Sequence, residues 1–173
     1  ASNQATVVMY STGSNTYDLT ESEAFVELVR VISNPVTRIG LSAVAGSAGF
    51  ITISVLNGRL ECLQWANSTV TILRSIPYDP AAHRWLRLSE RAGTTRWEVS
   101  ADGHEWTVLH HAPDPIALTT VELRFGLSAS AHPSPGVAIF DNFNVQNTSL
   151  SRRVEERRLS ARDVRVKAAE VAA

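Results

Sequence analysis

Between residues 5 and 146, apolar and polar positions alternate with a period of two, in short runs of Val, Ile, Thr and aromatic residues closed by Gly, Pro, Asn or Asp. A strand sends successive side chains to opposite faces, so the pattern predicts half-buried β-strands. Runs are read at 5–11, 24–31, 37–44, 50–57, 59–66, 69–76, 84–91, 95–101, 106–112, 121–129 and 137–146. This many short strands suits two packed antiparallel sheets. The breaks between runs carry turn chemistry. Asn57-Gly58 separates "FITISVL" from "RLECLQW", and a type I′ turn needs the positive φ that this pair adopts at little cost. Gly93 in "ERAGTTR" and Asp102-Gly103 in "SADGHEW" repeat the device.

Alternation also assigns faces. In "RWLRLSER", Trp85, Arg87 and Ser89 point one way and Arg84, Leu86, Leu88 and Glu90 the other; in "TRWEVSA", Trp97 and Val99 oppose Arg96, Glu98 and Ser100. Leu86, Leu88, Trp97 and Val99 are expected to share the core. Arg84, Arg87, Arg96 and Glu98 are expected to form cross-strand charge pairs. After Gln146 the period changes: the segment from Ser149 has no Gly or Pro, and Leu150, Val154, Ala161, Val164, Ala168 and Val171 recur near helical spacing. The chain therefore divides into a β-domain, 1–147, and a C-terminal helix, 148–173. A lone helix of this length is marginal in water, so Leu150, Val154, Val164 and Val171 are expected to dock on a partner, a second copy or another domain.

Composition refines this picture. The 173 residues are 44% hydrophobic and 19% charged, an ordinary globular balance. A net charge of −1 argues against nucleic acid or anionic lipid as partner, since both require a concentrated positive field. Charge is uneven: from Ser149 onward seven Arg/Lys face four Asp/Glu, and the preceding residues carry nine against thirteen. Cys62 is the single cysteine, which removes intrachain disulfides and Cys-pair zinc sites. No run reaches the roughly 18 apolar residues of a membrane span, and no secretory leader is evident, although the chain begins at Ala1.

The stretch "YDPAAHRWLRLSERAGTTRWEVSADGHEWTVL", with "YDLTESEAFVELV" before it and "GVAIFDNFNV" after it, resembles concanavalin A-like lectin/glucanase jelly rolls. Within them it is similar to the laminin-G-like or β-xylosidase C-terminal-like modules of bacteria and phage. Tyr78-Asp79, the strand from His83 to Leu88, Trp97, Ser100 with Asp102-Gly103, Trp106 and Phe140-Asp141-Asn142-Phe143 carry the likeness. The resemblance implies an all-β, two-sheet jelly-roll sandwich and a secreted, extracellular or virion-surface protein. It is weak on function, because this fold hosts binding, structural and hydrolytic members. Such modules usually start with a further strand that pairs with the last one, and little chain precedes Ala5; a calcium site using that strand is put in doubt.

Several residues could carry chemistry. Retaining glycosidases need two carboxylates about 5–5.5 Å apart. Glu21 and Glu23, with Glu27 in "ESEAFVEL", lack a catalytic strand's alternation, and the first two are read as a solvated turn. Asp102 is read as an acceptor for backbone N–H groups of its own turn. His110 and His111 are adjacent and so point to opposite faces, which opposes a zinc site with His104. Cys62 reads as a small core residue. The tryptophans are more telling, because sugar rings stack on exposed aromatic faces. Trp65, Tyr78 and Trp106 sit near strand ends or loops and are the candidate ligand-binding residues, against the alternative that they cap the core. Asp141 and Asn142 interrupt an apolar strand, as a hydrogen-bonded bulge or as weak calcium ligands; no other cofactor is expected. Two functions stand: a non-catalytic module that binds glycans or a cell-surface polymer, and a structural interaction domain, of virion or tail type, whose helix drives oligomerisation. Glycoside hydrolysis is a third and less favoured reading.

Overall fold

A computed structural model describes residues 4–11, 17–31, 37–130 and 138–144. The strands are β1 (Gln4–Ser11), β2 (Glu23–Arg30), β3 (Thr37–Val44), β4 (Gly49–Leu56), β5 (Arg59–Ala66), β6 (Thr69–Pro77), β7 (Trp85–Arg91), β8 (Thr94–Ser100), β9 (Thr107–Pro113), β10 (Glu122–Ser130) and β11 (Ile139–Asp141). Each expected run forms a strand, with ends moved by one or two residues except at the last, which stops at Asp141. The segment 148–173, with its expected helix and Leu150, Val154, Val164 and Val171, lies outside the described residues.

The strands form two antiparallel sheets, a six-stranded one in the order β1-β10-β3-β4-β5-β6 and a five-stranded one in the order β11-β2-β7-β8-β9. Their inner faces make one core. Ile39, Leu41, Ile51, Ile53 and Leu60 from the first sheet meet Val26, Leu86, Leu88, Trp97 and Val99 from the second. Burying each aliphatic side chain contributes about 1.5–3 kcal/mol, which is why alternation alone sets which face turns inward. Cys62 lies in this core, and burial pushes its thiol up to about 12. Trp97 crosses the core: its indole Nε1–H donates to the Thr52 carbonyl of β4 at 3.0 Å.

The hairpins follow their turn residues. Asn57 and Gly58 take φ values of 49° and 69°, as a type I′ turn requires, and Ala92-Gly93 does the same at 51° and 74°. "SADGHEW" departs from that expectation: β8 ends at Ser100 and β9 begins at Thr107, so a longer loop replaces the two-residue turn. Its shape comes from local bonds. Asp102 Oδ1 accepts the backbone N–H groups of His104 (2.8 Å) and Glu105 (3.0 Å), and Ser100 Oγ accepts that of Gly103 (2.9 Å). These donors, with the Ser100 hydroxyl, hold the Asp102 carboxyl down at about 2.

The loop folds over the outer face of the five-stranded sheet and buries Trp85, so this tryptophan is interior although it points away from the main core. Gly103 lies flat against the indole: a Cβ there would sit 2.9–3.1 Å from the ring, and its φ is +81°. Gly103→Ala should therefore destabilise the protein by about 1–3 kcal/mol in urea unfolding, and wild-type stability would contradict this packing. The folded pKa of Asp102 lies below its unfolded value, so its contribution is present above about pH 4 and lost as pH falls towards 2. Asp102→Asn should flatten that acid limb, read from midpoints between pH 2 and 5; an unchanged limb would contradict the assignment.

Candidate functional site

The expected ligand residues are not brought together. Trp106 stands on the outer side of the five-stranded sheet, where its ring meets Phe25 at 5.9 Å and the Arg87 guanidinium at 4.1 Å. Arg87 covers one face of the ring. Below it, Arg87 Nε and Nη2 donate to the two oxygens of Glu98, each at 2.8 Å, Nη1 donates to Glu23 at 3.2 Å, and Ser89 Oγ donates to Glu98 at 2.7 Å. The expected Arg87–Glu98 pair is therefore present. Glu23 corrects the solvated-turn reading: it is half-buried and joined to Arg87, because its outward position on β2 aligns with β7.

Glu27, on the same strand, is fully buried. Its Oε1 accepts from Arg84 Nε at 2.7 Å, and its Oε2 accepts from the Asn142 side-chain amide. Asn142 thereby ties β11 to β2, beside a register shift between Ile139 and Phe140. Asp141 accepts the Asn142 backbone N–H at 2.8 Å. Among the described residues, no three His, Cys, Asp or Glu side chains converge as metal ligands. His110 packs against the Trp97 ring at 5.6 Å, and desolvation lowers its pKa, while His111 is exposed.

Tyr78 follows β6 at the open end between the sheets. Its N–H donates to the Gly58 carbonyl at 2.9 Å, and its ring lies 6.0 Å from that of His83. Burial, aided by Asp79, pushes the phenol up to about 12, so the hydroxyl stays protonated as a donor.

Trp65 occupies a different surface. Strand pairing aligns Val44, Phe50, Trp65 and Val70 across β3–β6, next to a row of Arg124, Ser42, Thr52, Leu63 and Ile72 and a third of Gly126, Gly40, Ser54, Glu61 and Ser75. These alternate with core residues and form the outer face of the six-stranded sheet. Trp65 stacks on Phe50 at 5.8 Å with 28° between planes. Beside this ledge the face is polar: Ser42 Oγ donates to Thr52 Oγ1 and Arg38 Nη1 donates to Ser54 Oγ, both at 2.8 Å. Arg38 Nη1 also lies 2.9 Å from Glu61 Oε2, as an ion pair out of line for a hydrogen bond.

Sequence reasoning missed this polar part. Glu61 Oε2 and Arg124 Nε are the buried side-chain polar atoms without a hydrogen-bond partner among the described residues. Glu61 Oε2 is instead compensated by its ion pair with Arg38, which leaves Arg124 Nε as the unsatisfied donor on this face, where most buried polar atoms are satisfied. Glu61 and Arg124 belong to β5 and β10, separated by three strand spacings, about 14 Å. Glu61 adjoins the core residue Cys62 on β5 and so points outward, but only the pairing of distant strands shows what lies next to it.

No known family's sequence pattern matches the chain, and no curated protein does. Solved structures do share its architecture. The β-glucanase of Bacillus licheniformis is 12% identical with a TM-score of 0.51 over 76% of this chain and 64% of the glucanase. The chain thus spans less than two thirds of that enzyme's length. A carbohydrate-binding module of Bacillus subtilis is 13% identical (TM-score 0.46; 83% of this chain, 81% of the module), and a Caenorhabditis elegans galectin 7% (TM-score 0.45; 75% and 96%). With the two sheets and their order, the likeness to the glucanase establishes the fold as a concanavalin A-like jelly-roll sandwich.

Proposed function

We propose that the protein is a non-catalytic recognition module that binds an extended glycan or cell-surface polymer on the outer face of the six-stranded sheet. The half-buried Trp65–Phe50 stack beside the polar Ser42–Thr52 row carries this reading. An aromatic face takes the apolar side of a sugar ring, and hydroxyl and charged side chains next to it suit the ring's hydroxyls.

The disposition of the carboxylates supports a binding rather than a hydrolytic role. Glu23 and Glu27 lie four residues apart on one strand, about 13 Å of backbone, against the 5–5.5 Å of a retaining pair. Glu23 and Glu98 spend oxygens on one guanidinium beneath Trp106. Calcium is not part of the proposed site, since Asn142 is committed to Glu27. A glycan ligand accords with a secreted, extracellular or virion-surface location; among the described residues no helix is long and apolar enough to cross a membrane.

One observation favours the second reading, a protein-interaction domain. Val70 and Ile72 on edge strand β6 are 59% and 55% exposed, and exposed apolar edges attract protein partners. Under this reading the segment 148–173 supplies self-association.

A glycan array followed by calorimetry at millimolar oligosaccharide should find a ligand, with equal affinity in calcium and in chelator. Trp65→Ala should weaken it at least tenfold; absence of binding to any glycan in either condition would remove the proposal. Light scattering separates the second reading. A larger oligomer for the full chain than for one ending at Asn147 would support helix-driven assembly, and two monomers would exclude it.

A further inference from the structure

We propose that the open end of the sandwich beside Arg84 is a second binding site, for a small carboxylate with an apolar body. A cavity of about 510 Å³ lies there, where Leu28 and Val31 from the β2 end, Val55 from β4, and Tyr78 and Pro80 after β6 come together. Leu28 and Val55 are buried and come from different sheets, so the cavity opens onto the seam between them. Its size matches small-molecule pockets, and its lining sets aliphatic side chains against Tyr78, Arg84 and exposed backbone polar groups, enough to hold an apolar body and orient one polar head.

The polar group is Arg84, and the fold fixes it. Glu27 is completely buried and takes Arg84 Nε at 2.7 Å, while Asn142 occupies the other Glu27 oxygen. The Arg84 side chain is 47% exposed, so the carboxylate lies behind and the guanidinium faces the cavity mouth. Nε and Nη2 both face Glu27, and among the described residues Nη1 has no partner, which leaves donors for an incoming anion in the planar geometry that guanidinium offers a carboxylate. The surroundings are equally preset. The Leu28 N–H donates to the Arg84 carbonyl at 2.7 Å, and Tyr78 is tied to Gly58. Asp79, the acidic neighbour, spends Oδ1 on the N–H groups of Ala81 (2.8 Å) and Ala82 (3.3 Å) and so winds the wall into a fixed turn. The site thus pairs an apolar pocket with an anchored cation at its rim.

The test titrates 3-phenylpropionate and, separately, its neutral amide into the full chain, followed by backbone NMR shifts. The acid should move Val29, Gly58 and Tyr78, and the amide should bind at least tenfold more weakly. Arg84→Lys, which keeps a cation for Glu27 but loses the fork, should weaken the acid about tenfold. Val29 is exposed at the rim, so Val29→Asp should fold normally and weaken the acid similarly through like-charge repulsion. Equal affinity for acid and amide, no shift at millimolar acid, or full affinity in Val29→Asp would overturn the proposal. Oligosaccharide binding at Trp65 is independent of each result, so the two sites fail separately.

Discussion

The hydrogen bond from the Trp97 indole to the Thr52 carbonyl is the interaction that fixes the sandwich. Trp97 belongs to the five-stranded sheet and Thr52 to the six-stranded one, so a single fully buried side chain spans the core and ends on the opposite backbone. A buried indole N–H without a partner costs about 1–3 kcal/mol, so any sliding of one sheet over the other loses this bond as well as its packing. Thr52 also anchors the outer face: its hydroxyl accepts from Ser42 and donates to the Leu41 carbonyl at 2.9 Å. The same residue therefore holds the sheets together and supports the polar row beside Trp65.

The two outer faces then diverge. On the five-stranded sheet, the 100–106 loop lays Gly103 on Trp85, and Trp106 closes over Arg87, whose charge is divided between Glu98 and Glu23. Taking these charges from water is costly, and the pairing offsets the cost only while every partner is present. That face is a second, smaller core. The outer face of the six-stranded sheet is built differently: hydroxyl side chains run between an aromatic ledge and the arginines, and this is the face proposed to take a ligand.

Much of this was legible in the chain. Alternation located all the strands, because burying one face is worth more than local preference, and it identified Leu86, Leu88, Trp97 and Val99 as core. Turn chemistry placed Asn57-Gly58 and assigned Asp102 to its own loop. Non-local geometry stayed hidden. Trp85 alternates outward, and nothing local reveals that a loop fifteen residues later covers it. Nothing near Glu27 in the chain shows that Arg84 and Asn142, far along it, close on its carboxylate. Of the expected ligand residues, Trp65 and Tyr78 fall on the two proposed sites, while Trp106 packs on Arg87, because neighbours from other strands decide whether an aromatic face is free.

The central claim is that the Trp65 face receives the glycan. The indole N–H resonances of Trp65, Trp85, Trp97 and Trp106 report it directly during titration with an oligosaccharide found by array. The account predicts that Trp65 shifts while Trp85 and Trp97, both buried, and Trp106, covered by Arg87, hold still. A saturable shift at Trp106 with Trp65 unmoved would contradict it.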